Sequence, residues 1–292
     1  MLLHVRNLLF KLAGAIVLFV VWAKHRLRGY RKPNTVADDD RDARLAYVHD
    51  VVQSWLRFLP GDFTVRGRSV LELGPGSSLA TGALLLAHGA KSYNAVDAFR
   101  LADDEDNEFR RDAIASFDGS LVAEEVEAAH GALEGRSPNF QYHVDAGFFI
   151  PRLCAGQQFD LIVSCAAFEH FDAIEQTIDE LTEVAQSGCV SLHIVDLQTH
   201  TNVLRHRDPN NIYRFSDRFY SLLTFPGQPN RKRPRDYVRA FEKNGWVDIE
   251  VIAAKSIPEA ERRKLTSGLA QRFDMPEMDM HMLDAVIISR YP

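Results

Sequence analysis

The chain has 292 residues, 46% hydrophobic and 25% charged, which suits one sizeable α/β domain with appendages, one to two domains in all. A formal net charge of -6 argues against a general nucleic-acid binder, and no nucleic-acid partner is expected. The three cysteines, Cys154, Cys165 and Cys189, include no C-x-x-C pair. Free thiols in a reducing compartment are therefore expected, with neither a zinc site nor any other metal site.

Leu12 to Ala23 is an unbroken apolar run, LAGAIVLFVVWA, extending back to Leu8 if Lys11 is tolerated. Sixteen residues at about 1.5 Å each reach roughly 24 Å, short of a hydrocarbon core of about 30 Å. Spanning would need Arg6, Lys11 and Lys24 to snorkel. Lys24, Arg26, Arg28, Arg31 and Lys32 follow the run, whereas only Arg6 and Lys11 precede it. That asymmetry keeps the downstream chain in the cytosol and opposes export by a cleaved signal peptide. Trp22 suits the headgroup level. Residues 1–32 are thus expected to form a membrane-associating segment, through residues 8–23, holding a domain of residues 33–292 at the cytoplasmic face. The alternative is a helix buried on a cytoplasmic globular domain.

Residues 29–41 have the composition of a linker or turn, in which Asp38 or Asp39 is placed to cap the next helix. Leu45, Val48, Val52, Trp55, Leu56 and Leu59 recur at helical spacing, and Pro60-Gly61 ends that helix. Short apolar runs then alternate with helical stretches. SVLEL is a predicted strand and 77–88 a helix; SYNAVD is a strand and 104–130 helical, with a break near Gly119. NFQYHV and FDLIVS are strands, 172–186 is a helix and CVSLHIVD a strand. An irregular stretch occupies about 200–232, before a helix at 234–244, a strand at 246–254, a helix at 259–270 and a strand at 284–290. This alternation predicts βαβ units and a mostly parallel sheet.

After the first strand, VLELGPGSS turns on Gly74-Pro75-Gly76 into a helix opening near Ser77. Glycines there allow a tight turn and close backbone approach to a ligand, and the helix start offers free N–H groups. A dinucleotide site would want a third glycine at 79, which is Leu79, and Glu72 would repel a pyrophosphate. The acid suits a cationic ligand.

The E-L-G-P-G segment resembles the first motif of class I S-adenosylmethionine-dependent methyltransferases. In order along 45–290, further segments resemble that family. SYNAVD ends in Asp97, where the family places the acid that binds both ribose hydroxyls, a role suited to a carboxylate accepting two hydrogen bonds. Asp145-Ala146 follows the third strand, as does the family's adenine-edge contact. FDLIVSCAAFEHF, with Glu169-His170, resembles the fourth-strand motif, and the strand, helix and strand at the C-terminal end resemble the family's final hairpin.

The resemblance implies a Rossmann-like α/β sheet of seven strands, the last antiparallel, with helices on both faces, added to the N-terminal apolar helix. It also implies S-adenosyl-L-methionine as methyl donor, held by Glu72, Gly74, Pro75, Gly76, Asp97, Asp145 and Ala146. A scaffold that binds the donor without catalysis would share these residues.

Ligands of open α/β sheets bind at the carboxyl ends of the strands, so 165–170 and 196–200 should face the methyl group. Methyl transfer is mainly alignment, and a hydroxyl acceptor needs a base; His170 and His200 are the candidates. The stretch 199–235 is too long for a simple connection and carries Tyr213, Phe215, Phe219, Tyr220 and Phe225 among Arg205, Arg207, Arg214 and Arg218, followed by Arg231, Lys232, Arg233 and Arg235. It is expected to cap the acceptor, a small molecule or glycan. Its basic cluster suits an anionic acceptor, acidic lipid headgroups or a solvated surface.

Overall fold

The structure is a computed structural model that describes residues 2–28 and 40–292. In chain order it comprises α1 (Leu2–Arg28), α2 (Arg41–Phe58), β1 (Ser69–Leu73), α3 (Ala80–Ala87), β2 (Ser92–Asp97), α4 (Asn107–Ala115), α5 (Ala123–Leu133) and β3 (Phe140–Val144). There follow α6 (Ile150–Leu153), β4 (Phe159–Cys165), α7 (Ile174–Val184), β5 (Ala185–Asp196), α8 (Asn202–Arg205), α9 (Asp217–Leu222), α10 (Pro234–Lys243), β6 (Val247–Ser256), α11 (Glu259–Leu265) and β7 (Met282–Arg290).

The strands form one sheet in the order β3-β2-β1-β4-β5-β7-β6. β1 to β5 are parallel, and β7 runs antiparallel between β5 and β6. Alternation along the strands supplies two cores. Val70, Tyr93, Ala95, Leu161, Val163 and Val190 face α2 to α5. Leu71, Leu73, Val96, Ile162 and Ile287 face α6, α7 and α10. The expected seven strands, antiparallel last strand and two helical layers are all present.

Boundaries differ from expectation where tertiary pairing overrides local pattern. α3 opens at Ala80 and not near Ser77, because Gly74 and Gly76 sit at φ +65° and +70° and keep the chain turning. β5 starts at Ala185, inside the stretch expected to be helical, because Ala185 pairs with Phe159. Asp40 caps α2, accepting the Ala43 N–H at 3.0 Å. Asp38 and Asp39, Arg31, Lys32 and the expected boundary at 32/33 lie outside the described residues.

Helix α1 contains the expected apolar run and is longer than it. By length and composition it is apolar enough to cross a membrane. One face docks on the protein: Asn7, Gly14 and Leu18 are buried. Arg6 donates to the carbonyls of Arg207 (2.7 Å) and Lys264 (3.1 Å), and Asn7 to that of Ser267 (3.0 Å). Gly14 permits this approach, since a Cβ there would lie 2.0 Å from Asn211 Oδ1. Leu8, Leu9, Leu12, Ile16, Phe19 and Val20 remain exposed on the rest of the helix.

The insertion at 199–235 packs under α1 with its own core of Leu18, Ile212, Tyr213, Phe215, Tyr220, Phe273, Met278 and Met280. The expectation for its basic cluster is corrected here. Arg231 is buried, donating to the carbonyls of Ile212 and Phe215 and pairing with Asp217 at 2.5 Å. Arg233 is fully buried, donating to the carbonyls of Met278, Asp279 and Met282. Arg235 pairs with Glu277 at 2.8 Å. Arg233 and Arg235 tie the insertion to the segment before β7, and Arg231 braces the insertion from within. The buried members, Arg231 and Arg233, belong to neither an acceptor-facing patch nor a solvated basic surface, because five donors in a rigid fork suit clustered carbonyl acceptors, whereas Lys232 and Arg235 are part-exposed.

Candidate active site

A cavity of about 570 Å³ opens at the carboxyl ends of β1, β2 and β4, where the β1–α3 turn, α2 and the insertion meet. This is the edge at which open α/β sheets bind ligands. Of the residues singled out in the sequence, Glu72, Gly74, Pro75, Gly76, Asp97, Ala146 and His170 line it; Asp145 and His200 do not.

The turn is built by close approach. Gly74 donates its N–H to Val96 (2.9 Å), which ties the end of β1 to β2, and a Cβ on Gly74 would come 3.0 Å from the Ala167 Cβ. Ala167 is delivered by Ala166, which holds φ +52° after β4, a left-handed geometry that a small side chain tolerates at modest cost. Leu79 donates its N–H to Glu105 (2.8 Å), and Glu105 is itself paired with Arg110 at 3.0 Å.

Glu72 is buried beneath the turn and accepts the Thr81 hydroxyl (2.7 Å) and the Tyr93 hydroxyl (2.6 Å). Burial pushes its carboxyl up to about 7, against the two hydroxyl donors, which lower it. Asp97, at the end of β2, accepts the Phe99 N–H at 3.0 Å. Its pKa is also raised by burial, while the N–H groups around it lower it. Asp145 is turned away and pairs with Arg152. The Arg152 cation next to the acid holds it off the cavity wall that Ala146 forms.

At the other end, His170 closes the short 3-10 turn Phe168–His170 that follows β4. Burial, with His200 beside it, pushes its imidazole down to about 4. His200 stands behind it, with ring centroids 4.9 Å apart, and lies 3.3 Å from Asp196 and 3.9 Å from Glu169. The structure thus brings the two histidines together, although only one reaches the cavity.

Several lining residues escaped the sequence reading. Arg44, Tyr47 and Val48 come from α2, Phe148 from the turn after β3, Phe171 from the turn after β4, and Pro226-Gly227 from the insertion. Helical periodicity in α2 reveals which residues are apolar but not which of them meet a cavity. The Pro-Gly pair at 226–227 is the one local signal of a turn. All three cysteines are free; Cys154 and Cys189 are buried and Cys165 lines the cavity.

No family model and no curated protein matches the chain. Among solved structures, it is similar to a Nostoc punctiforme protein described as an O-methyltransferase, at 13% identity and a TM-score of 0.50, over 98% of this chain and 71% of that one. It is also similar to an S-adenosylmethionine dependent methyltransferase of Mesorhizobium loti (14% identity, TM-score 0.44, 87% of this chain and 99% of that one). A third is magnesium protoporphyrin IX methyltransferase of Synechocystis, solved with bound SAH (12% identity, TM-score 0.45, 96% and 100%). At these identities the likeness is one of fold. The strand order, the antiparallel β7 and the glycine turn after β1 agree with it: the chain has the Rossmann-like fold of class I S-adenosylmethionine-dependent methyltransferases.

Proposed function

We propose that this protein transfers a methyl group from S-adenosylmethionine to an oxygen or nitrogen of a small-molecule, sugar or lipid-linked glycan acceptor at the cytoplasmic face of a membrane. One observation carries the donor assignment. The positive-φ glycine turn, Glu72 beneath it and Asp97 on the adjacent strand line the same cavity. A buried acid suits the sulfonium and ammonium charges of the donor, and it would oppose a nicotinamide pyrophosphate. Asp97 is the acid that would accept both ribose hydroxyls. The adenine edge would lie by Ala146, and Asp145 joins it only by leaving Arg152.

The reaction needs the acceptor held in line with the sulfonium, so alignment by the cavity wall is the main catalytic contribution. His170 is the imidazole on that wall, with His200 behind it. Together they make the polar end at which an acceptor oxygen or nitrogen has to be held and deprotonated.

The membrane reading rests on α1, whose undocked surface exposes Leu8, Leu12, Ile16, Phe19 and Val20, with Lys24, Arg26 and Arg28 beyond them. An amphipathic helix docked along one face would lie in the headgroup plane with the other face in the acyl boundary.

Titrating the purified protein with S-adenosylhomocysteine and, separately, NADH tests the donor: binding of the first and not the second is expected. Incubating lysate with methyl-labelled donor and searching for products one methyl unit heavier tests turnover. Donor binding without any labelled product would favour a non-catalytic scaffold.

A further inference from the structure

The 3-10 turn after β4 is clamped. Asn230 donates its backbone N–H to the Glu169 carbonyl (2.7 Å) and its side chain to the carbonyls of Phe168 (2.8 Å) and Phe171 (2.9 Å). Within this rigid turn Glu169 is only 2% exposed, and its carboxylate receives no side-chain hydrogen bond, with only its own backbone N–H and that of Asp196 turned towards it. Nδ1 of His170 is likewise buried without a partner. One donor atom from each of Glu169, His170 and His200 lies within 4.8 Å of the other two.

Buried carboxylates short of donors are rare, because the lost hydration has to be replaced. Glu169 has further negative charge beside it, from Asp196 and Asp284. Arg205 does not relieve it, since its guanidinium is spent on Asp196 at 2.6 Å. A proton on Glu169 would remove the charge but add an O–H that needs an acceptor. A cation answers both the carboxylate and the unpartnered Nδ1 of His170, and can draw on Nε2 of His200, which rests 3.3 Å from Asp196.

We propose that Glu169, His170 and His200 bind a divalent transition-metal ion at the acceptor end of the cavity. Two imidazoles and one carboxylate form a borderline donor set that suits zinc, cobalt or manganese, and three protein ligands leave coordination positions open. Ligand bonds of about 2.0–2.2 Å require the three donors to draw in by about 1 Å, within the reach of side-chain rotation. His170 lines the cavity, so the site adjoins the acceptor end.

The ion's role in catalysis rests on the methyl-transfer reading, whereas its binding does not. There it would hold an acceptor hydroxyl and lower its pKa. The acceptor O–H gives its proton to water, the new C–O bond forms as the C–S bond breaks, and the sulfonium leaves as a neutral thioether.

The full-length protein in detergent, stripped with chelator, is titrated with Co²⁺ alone and followed by visible absorption. One Co²⁺ per chain is expected, with ligand-field bands free of thiolate charge transfer. Glu169→Gln and His200→Asn each weaken binding by at least about tenfold. Neither residue lines the cavity, so S-adenosylhomocysteine affinity within threefold of wild type shows that each variant is folded. Absence of Co²⁺ binding, equal binding by the variants, or a thiolate band from Cys165 overturns the site. Co²⁺ binding without any S-adenosylhomocysteine binding upholds the metal site and overturns the methyl-transfer reading instead.

Discussion

Asp208 and Arg214 form a two-point pair, 2.6 and 2.8 Å, with both side chains wholly inaccessible to solvent. Asn211 donates to the same carboxylate at 2.8 Å, and Arg214 also donates to the Ser267 carbonyl at 2.8 Å. Ser267 in turn accepts from Asn7 of α1, so one buried ion pair joins the insertion, the end of α11 and the N-terminal helix.

Removing one member of such a pair leaves the other charge buried. Arg214→Met is therefore expected to lower stability by about 3–5 kcal/mol, seen as a drop in the urea midpoint. Replacing both partners with apolar residues of similar volume should restore much of the loss. A single-variant loss below about 1 kcal/mol would mean that the insertion is held by its apolar core and not by this pair.

Why the arginines of this insertion mislead at the level of sequence is a matter of partner distance. Arg233 has its carbonyl acceptors at 278–282 and Arg231 its acceptors at 212–217, so a window around 231–235 displays four cations and, of acids, only the adjacent Asp236. By contrast, the β1 turn is legible because its requirements are local: an apolar strand, two glycines at positive φ and an acid two residues earlier. Glu169-His170 was visible as a pair, but its meeting with His200 depends on β4 and β5 being neighbours in the sheet. Helix α1 shows the same limit. Its apolar run suggests either lipid or burial, while Arg6 and Asn7, which precede that run, and Gly14, which lies within it, carry no local sign that they fix its docking.

Glu72 gives the donor site a pH dependence with a definite sign. Its carboxyl is raised from 4.5 to about 7 by burial, with Asp97 and Glu105 adding to the rise and Tyr93 and Thr81 opposing it. The empty folded protein thus favours the protonated form. Stability is fully present below the unfolded value and falls as pH rises towards 7, by about 3 kcal/mol in all. A cationic donor favours the carboxylate, so binding of S-adenosylmethionine should expel a proton. Its affinity should rise by up to about tenfold per pH unit below 7 and level off above. Calorimetry in buffers of different ionisation enthalpy measures the released proton. A Glu72→Gln variant with the same pH profile would assign the proton to another group.

Asp97 and Gly74 test the two halves of the donor site separately. Asp97→Ala removes a charged acceptor, worth on the order of 1.5–3 kcal/mol, and should weaken S-adenosylhomocysteine by roughly 10- to 150-fold. A loss below threefold would reduce Asp97 to its turn-forming bond with Phe99. Gly74→Val adds a β-branched side chain at φ +65°, against Ala167. It should abolish ligand binding, and circular dichroism should show whether the sheet is retained. A folded variant with unchanged affinity would move the donor elsewhere.

The two faces of α1 should respond to mutation in opposite ways. Gly14→Leu drives a side chain into Asn211 and Phe215, which lie 2.0 and 3.0 Å from where even a Cβ would sit. The helix should then lift from the insertion, and trypsin should cut faster at Lys24 and Arg26. Flotation with vesicles rich in anionic lipid should persist, because the outward face is intact. Changing Leu12, Ile16 and Phe19 to glutamine leaves the docked face untouched and removes apolar area from the other. Burying a leucine-sized side chain contributes about 1.5–3 kcal/mol, so losing three should cost vesicle binding well over tenfold with trypsin sensitivity unchanged. Salt should weaken the wild-type interaction as well, since Lys24, Arg26 and Arg28 add an attraction screened beyond about 10 Å at 0.1 M. If the triple glutamine variant floats as well as wild type, α1 is not the membrane contact, and its exposed face needs a different partner.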